Sequence, residues 1–555
     1  MKWRVELFVA LALLQVVTAG AQQYAYQVNF TDKNNTPYSL SSPSAYLSPG
    51  ALTRRTTQGI SVDSTDLPVN HTYIDSVIAL TGGTLHATSR WMNLCVILLS
   101  DSAQIHALDG KAFVRSSKLV GYYSTFLHHR HTNATGNAGA VAQRTASADN
   151  VFYGITWLQT DVVNGNYLYD KGYTGAGKLI AVLDAGFLGT DTHPGFDSLR
   201  AAGRVLDEHN FTLNSNFVYS YDTHGTSVLS TMAGYVPDTF VGSAPLASYA
   251  LYVTEDDNSE QLIETLNMLC GIERADSIGA DIVTTSLGYN TFNNAADNFN
   301  FATEFDGKTT IPARAANMAT QKGMLVVATA GNEGAGSWNK ILTPGDADSA
   351  LTIGSVDPGT LINAATSGYG PNAAGKVKPD VCAVGQPANV FTASGYGSEN
   401  GTSFSTPQIA GWAASLWQGN PTATPAQIRQ AIIKCASRYT SPGPQIGYGI
   451  PNFECTSQML NVLDTPSPFT ADNWVLATPN PFDEGLKLAV SPAVSGNVDF
   501  RLTDMAGRRV FSVTYHLQKG YNTPFTITIP GLAAGLYILK ANSATQQQVL
   551  KLEKR

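Results

Sequence analysis

Between residues 149 and 465 the apolar residues of this chain keep changing their period, and that alternation restricts the possible folds more than any other feature. KLIAVLDAGF (178–187) and GMLVVATAGN (323–332) are continuous apolar runs that end in Asp or Gly turns, as strands buried on both faces do. QLIETLNMLCGIERADSIG (261–279) and STPQIAGWAASLWQGN (405–420) have helical spacing, as does TPAQIRQAIIKCA (424–436) with its Thr-Pro start. Strands alternating with helices predict an α/β domain built on a parallel sheet.

The flanking segments read differently. Lys2 and Arg4 precede the apolar run Leu7 to Val17 and the small residues Ala19, Gly20 and Ala21, which is the order of a secretory signal peptide over 1–21. That run is too short to span a bilayer, and no other stretch is long enough. Residues 22–148 form a first region with strand-like runs such as SRWMNLCVILL and a polar, small-residue tail, HTNATGNAGAVAQRTASADN, that reads as a linker. After the break DTPSPF, residues 474–555 alternate with period two in LKLAVS, VDFRLTD, VFSVTYHL and PFTITI, which predicts a small all-β sandwich. The expected domains are 1–21, 22–148, 149–465 and 474–555.

A formal charge of −8 supplies no basic footprint, so no nucleic-acid partner is expected. None of the five cysteines lies in a CxxC pair, which argues against zinc. Cys435 and Cys455 flank a Gly/Pro-rich loop and could close it by a disulfide; buried free thiols fit equally, Cys382 in DVCAVG above all.

The stretch NGTSFSTPQIAG (400–411) places serines directly ahead of an apolar helix. A capped helix is the simple reading, and a serine nucleophile aimed by that helix is the other. A serine needs a base, and the α/β region offers His193, His209 and His224. His193 (DTHPGF) and His209 (DEHN) stand in polar, turn-like settings, whereas His224 opens the small-residue run HGTSVLSTMAG. Asp184 ends an apolar strand, where an acid is costly unless paired, though taken alone it reads as a turn residue capping the next segment. Asn332 in ATAGNEG could donate its side-chain amide to a developing oxyanion, or could simply be a left-handed turn residue. Asp184, His224, Asn332 and Ser403 run in chain order as acid, base, amide and nucleophile. Asp, then His, then Ser is the order of subtilisin, not of chymotrypsin or the α/β-hydrolases.

Here the chain resembles the subtilases, the subtilisin-like serine peptidases, over roughly residues 150–460. AVLDAGF, HGTSVLSTMAG and GTSFSTPQIAG resemble the Asp, His and Ser motifs of that family, TTSLGY its cleft segment, ATAGNEG its oxyanion segment; GKVKPDVCAVG is also family-like. The resemblance implies a subtilisin-like parallel sheet of seven strands between helices, preceded by a small α+β propeptide. It implies Ser403 as nucleophile, His224 as base, Asp184 as orienting acid and Asn332 as oxyanion donor. Thr402 and Ser405 are left with structural roles. Ser286, Leu287 and Gly288 are expected to pair with extended substrate. Thr329, Ala330, Gly331 and Leu342 are expected near the pocket for the residue before the scissile bond, with small or medium apolar residues preferred if Leu342 fills its floor.

The activity implied is a secreted serine endopeptidase acting on peptides and proteins through an acyl-enzyme, made as a precursor. The alternatives are a surface binding or adhesive protein on an inactive scaffold, and a processing peptidase with a narrow substrate. No cofactor is expected for catalysis. A structural calcium ion is compatible with the family, and TEDDNSE (254–260) is the candidate loop, though it reads first as a solvated acidic turn. His128, His129 and His131 could bind metal but read first as linker. ATPNPF, LTDMAGRRVF, GLAAGLYILK and LKLEKR resemble the C-terminal sorting domain of type IX secretion cargo, which implies the type IX machinery as a partner and passage across an outer membrane.

Overall fold

Apolar residues on successive strand positions face opposite sides of a sheet, so a strand that is apolar throughout must be covered on both faces. In the computed structural model this is how the central sheet is built. The structure describes residues 22–123, 148–220, 222–392, 395–464, 474–478, 480–517 and 522–555. The expected signal peptide, the linker histidines and most of the linker lie outside them. The chain divides into two compact units, Met1–Leu460 and Asn461–Arg555.

In the first unit, the N-terminal region is a four-stranded antiparallel sheet of β1 (Gln23–Phe30), β2 (Thr84–Ser89), β3 (Leu94–Leu99) and β4 (Val114–Tyr123), in the order β2-β3-β1-β4. It carries two helices, α1 (Pro49–Gln58) and α2 (His71–Thr81). Their starts are set locally: the Ser48 and Asn70 side chains accept from the backbone N–H groups of Ala51 and Thr72.

A parallel seven-stranded sheet follows. Its members are β5 (Leu179–Asp184), β6 (Val205–Asn210), β7 (Ser248–Val253), β8 (Ile282–Thr285), β9 (Leu325–Thr329), β10 (Leu351–Val356) and β11 (Val381–Val384). Their spatial order is β11-β10-β9-β8-β5-β7-β6. Ile180 and Val182 point into a core shared with α3 (His224–Ala233) and α6 (Thr402–Gly419). Ala181 and Leu183 point into a second core with α4 (Leu262–Ile278) and α5 (Ile311–Gln321). Helix α7 (Pro425–Lys434) follows α6, and its Thr424 start forms a reciprocal capping pair with Gln427.

The N-terminal sheet packs on the α4 side, where Ala25, Leu94, Val96 and Val120 join the second core. A buried ionic network pins this contact. Asp276 on α4 receives Arg54, Arg55 and Arg90, all from the N-terminal region. Arg55 also meets Asp66 at 2.7 Å, and Lys322, just beyond α5, meets Asp63 at 3.0 Å and Asp66 at 2.9 Å. Arg54 further donates to the carbonyls of Ala280 and Lys322, at the C-terminal ends of α4 and α5, where cations complement the helix dipole. Buried charges persist only when paired in this way.

The second unit contains a three-stranded antiparallel sheet, β12 (Val475–Thr478), β13 (Gly485–Val490) and β16 (Asn522–Thr528). A four-stranded antiparallel sheet completes it, with β15 (Arg509–Leu517), β14 (Gly496–Asp504), β17 (Gly535–Asn542) and β18 (Gln547–Lys554) in that spatial order. Trp474, Leu486, Leu488, Phe500, Leu502 and Leu539 share one core between them. The period-two reading of the sequence corresponds to these alternately buried strands.

Cys435 and Cys455 are disulfide-bonded, which decides between the two readings of this pair; Cys95, Cys270 and Cys382 are free and buried. The bridge spans a sequence separation of 20, for which loop-closure entropy suggests about 3 kcal/mol. Replacing both cysteines by serine is therefore expected to lower Tm by several degrees without loss of secondary structure. Calorimetry and circular dichroism on the double variant check this.

Candidate active site

Parallel strands all end on the same edge of their sheet, and side chains at those ends converge there. Asp184 is the last residue of β5 and is fully buried. Its Oδ1 accepts the Ala185 N–H at 2.8 Å and lies 2.7 Å from Nδ1 of His224, the first residue of α3. The helix can approach this closely because the next residue is glycine. A Cβ on Gly225 would sit 2.3 Å from the Gly186 carbonyl oxygen and 3.0 Å from Asp184 Cβ. Asp222 Oδ1 accepts the His224 backbone N–H at 2.8 Å and starts the helix turn.

Ser403 lies in the first turn of α6 and is 5% exposed. N–H groups of a first helical turn have no intrahelical partner, so they remain available to a negative charge. Gly401 directly before the helix has φ 154°, a conformation side-chain-bearing residues rarely adopt. The ring of Phe404, next to Ser403, lies 5.8 Å from that of His224. Ser286 Oγ donates to the Ser403 carbonyl at 2.8 Å and ties the end of β8 to the same helix.

Asn332 follows β9 and is exposed, with its Oδ1 accepting from the Thr402 N–H at 2.9 Å and from Thr402 Oγ1 at 3.0 Å. With the oxygen so engaged, the Nδ2 end of the amide is the free one. The left-handed residue of this turn is Gly331, φ 88°, and not Asn332. Thr402 thus orients the amide, which gives content to the structural role read from sequence.

The segments after β8 and β9 both bond to the start of α6. Ser286, Leu287 and Gly288 continue β8 past Thr285, its last residue paired within the sheet. Ala330 and Gly331 continue β9 on the other side. Leu342 stands between them: a Cβ on Gly288 would be 2.7 Å from Leu342 Cβ, and one on Gly331 would be 2.4 Å from Leu342 Cγ. Leu342 N–H donates to the Ala330 carbonyl at 3.1 Å, and Tyr289 and Thr343 exchange both backbone bonds, at 2.9 and 3.2 Å. The Leu342 backbone is therefore tied to the segment after β9, and that of its neighbour Thr343 to the segment after β8.

Beside Gly288, a cavity of about 350 Å³ is lined by Leu287 and by Glu255, Asp257, Glu260 and Glu264. Burial, then the charges of Glu260 and Asp184, raise Glu255 to about 8, against bonds from the Tyr289 and Thr254 hydroxyls. The loop 254–260 is thus partly built into the body, unlike the solvated turn its sequence suggests. Among the described residues, no group of three or more His, Cys, Asp or Glu side chains is arranged to hold a metal ion.

The other two histidines lie elsewhere. His193 caps a short turn at Pro194–Phe196 by accepting the Gly195 N–H, as its turn-like setting suggests, but it is buried there, bonded to the Gly395 carbonyl and stacked on Phe391 at 4.3 Å. His209 is bonded to Asn216 at 3.0 Å.

Residues 175–450 match the Subtilase family, residues 25–136 the peptidase S8 propeptide domain of Bacteroidota, and residues 478–554 the secretion system C-terminal sorting domain. Subtilisin E of Bacillus subtilis (strain 168) is 31% identical over 315 residues, which are 56% of this chain and 72% of that one. The subtilisin of Bacillus pumilus is also 31% identical over 315 residues, covering 56% of this chain and 100% of its own. The chain belongs to the subtilase family. Fervidolysin from Fervidobacterium pennivorans, described as a keratinolytic enzyme related to subtilisin, shares the fold with a TM-score of 0.52 at 16% identity; the match covers 94% of this chain and 70% of that one. This subtilase is a subtilisin-like serine endopeptidase with a propeptide and a type IX sorting domain, and its localisation is secreted or cell-surface.

Burial alone would lower the His224 pKa, but the charge and bond of Asp184, with Asp222 and Glu399 beyond, outweigh it and raise it to about 9. Only the neutral imidazole accepts a proton, so activity of this subtilase is expected to climb as pH rises through about 9. Removing one of the supporting charges in Glu399→Gln should move that acid limb to lower pH. Profiles of kcat/KM against pH on an uncharged peptide substrate check both; coincident limbs would show that the Glu399 charge does not reach the base.

Proposed function

We propose that this endopeptidase works through a triad and a covalent intermediate. His224 takes the Ser403 proton as Oγ attacks the scissile carbonyl. Asp184 holds the imidazole in the tautomer that presents its other nitrogen to the serine, and stabilises the imidazolium that forms. Asn332 Nδ2 and the Ser403 N–H bind the developing oxyanion, the leaving amine takes the proton back from His224, and water then hydrolyses the acyl-enzyme. The observation that carries this reading is the 2.7 Å contact between a fully buried Asp184 carboxylate and His224.

The precursor matures, in this reading, by a cut between the N-terminal sheet and the peptidase body, near 130–150. Extended substrate lies along Ser286, Leu287 and Gly288 as an added strand. The matured enzyme needs no cofactor for the reaction itself.

The test is the full chain beside its Ser403→Ala variant. The wild type is expected to lose its N-terminal region, to take up a fluorophosphonate label and to digest casein. The variant should stay full length, unlabelled and inactive. A variant that labels and digests normally would remove Ser403 from the mechanism.

The same reading makes the pocket for the residue before the scissile bond shallow, because Leu342 occupies the space between Gly288 and Gly331. Alanine at that position is expected to be preferred over phenylalanine by about 10²-fold in kcat/KM, the scale of a steric mismatch in a closed pocket. Leu342→Gly should narrow the ratio at least tenfold in matched peptides. Equal rates on both peptides with wild type would sink this preference.

A further inference from the structure

Behind Asn332 runs a buried chain of hydroxyl groups. Gly331 N–H donates to Thr329 Oγ1 at 3.1 Å. Thr329 Oγ1 donates to Thr402 Oγ1 at 2.7 Å, and Thr402 Oγ1 donates to Asn332 Oδ1 at 3.0 Å. Thr329 is 2% exposed and Thr402 is fully buried, so water does not compete for these groups.

The direction of this chain is dictated at both ends. The Gly331 N–H can only donate, and so can the Thr402 N–H, which also meets Asn332 at 2.9 Å. The Asn332 atom facing it must therefore be oxygen, which can only accept. Thr402 has one hydroxyl proton and spends it on that oxygen. The Thr329 hydroxyl must then be the donor to Thr402, and its own acceptor capacity meets Gly331.

We propose that Thr329, the last residue of β9, is a positioning residue for the hydrolytic reaction. Its proton occupies a lone pair of Thr402 Oγ1, which holds the Thr402 proton on Asn332 Oδ1. That double anchorage turns Asn332 Nδ2 toward the carbonyl under attack. Thr329 touches no reacting atom and acts only through Thr402 and Asn332. The inference rests on the reading of Asn332 as oxyanion donor.

Two variants remove the hydroxyl: Thr329→Val keeps the branched shape, and Thr329→Ala removes the methyl as well. Thr329→Ser restores the hydroxyl. On matured enzyme, the hydroxyl-free variants are expected to lower kcat about five- to tenfold, the worth of one buried hydrogen bond, with KM within about twofold. Thr329→Ser should stay within about twofold of wild type. Asn332→Ala alone should cost about 10²–10³ in kcat, and adding Thr329→Val to it should cost nothing further, since the amide being aimed is gone.

The proposal is overturned if a folded hydroxyl-free variant keeps wild-type kcat, or if Thr329→Val costs the same factor with and without Asn332. Both results leave the loss in Asn332→Ala standing. If Asn332→Ala itself retains full kcat, the oxyanion reading fails, and the role of Thr329 fails with it. Thermal midpoints of all variants separate loss of fold from loss of aim.

Discussion

A carboxylate with no exposed surface, held against an imidazole, is the contact on which the rest of this site depends. An isolated buried charge would be driven to neutrality. Asp184 can stand at the end of an apolar strand because His224 faces it at 2.7 Å and the Ala185 N–H also bonds it. That in turn requires α3 to begin directly over the end of β5, which requires glycine at position 225. The sheet supplies the other end of the arrangement. β8 and β9 are adjacent, and both are tied to the start of α6, through Ser286 to the Ser403 carbonyl and through Thr329 to Thr402. Fold and site are therefore one constraint viewed at two scales.

Much of this was legible in the chain itself. Runs such as LIAVLD have no polar face, so a sheet covered on both sides was the only economical reading, and Ile180/Val182 and Ala181/Leu183 do divide between two cores. Asp184 could be singled out only in company, because His224, Asn332 and Ser403 follow it in an order that gives a buried acid its partner. The second unit was readable for a similar reason, since period-two burial is a local property of each strand.

What escaped the sequence depends on residues far apart in it. Thr329 and Thr402 are 73 positions apart, and each alone is an ordinary hydroxyl at the end of an element. Glu399 lies on a short strand whose proximity to His224 no local pattern encodes. His193 stands among polar neighbours in the sequence, yet Phe391, almost 200 positions later, stacks on it. Arg54 and Arg55 carry no local sign of burial, because their partner Asp276 is more than 220 positions downstream. Local composition reports the preferences of a segment and not what is brought against it.

Arg54, Arg55 and Arg90 have a further consequence. Their partners on α4 and at the end of α5 belong to the peptidase body, while the arginines belong to the segment before it. In the intact chain those partners are tethered, and their local concentration is set by the length of the connection rather than by the amount of protein. A single break anywhere between Tyr123 and Ala148 would leave each of these contacts in place and change only their molecularity. From that moment dilution would act on them, and the same unaltered interface would pass from permanent to reversible.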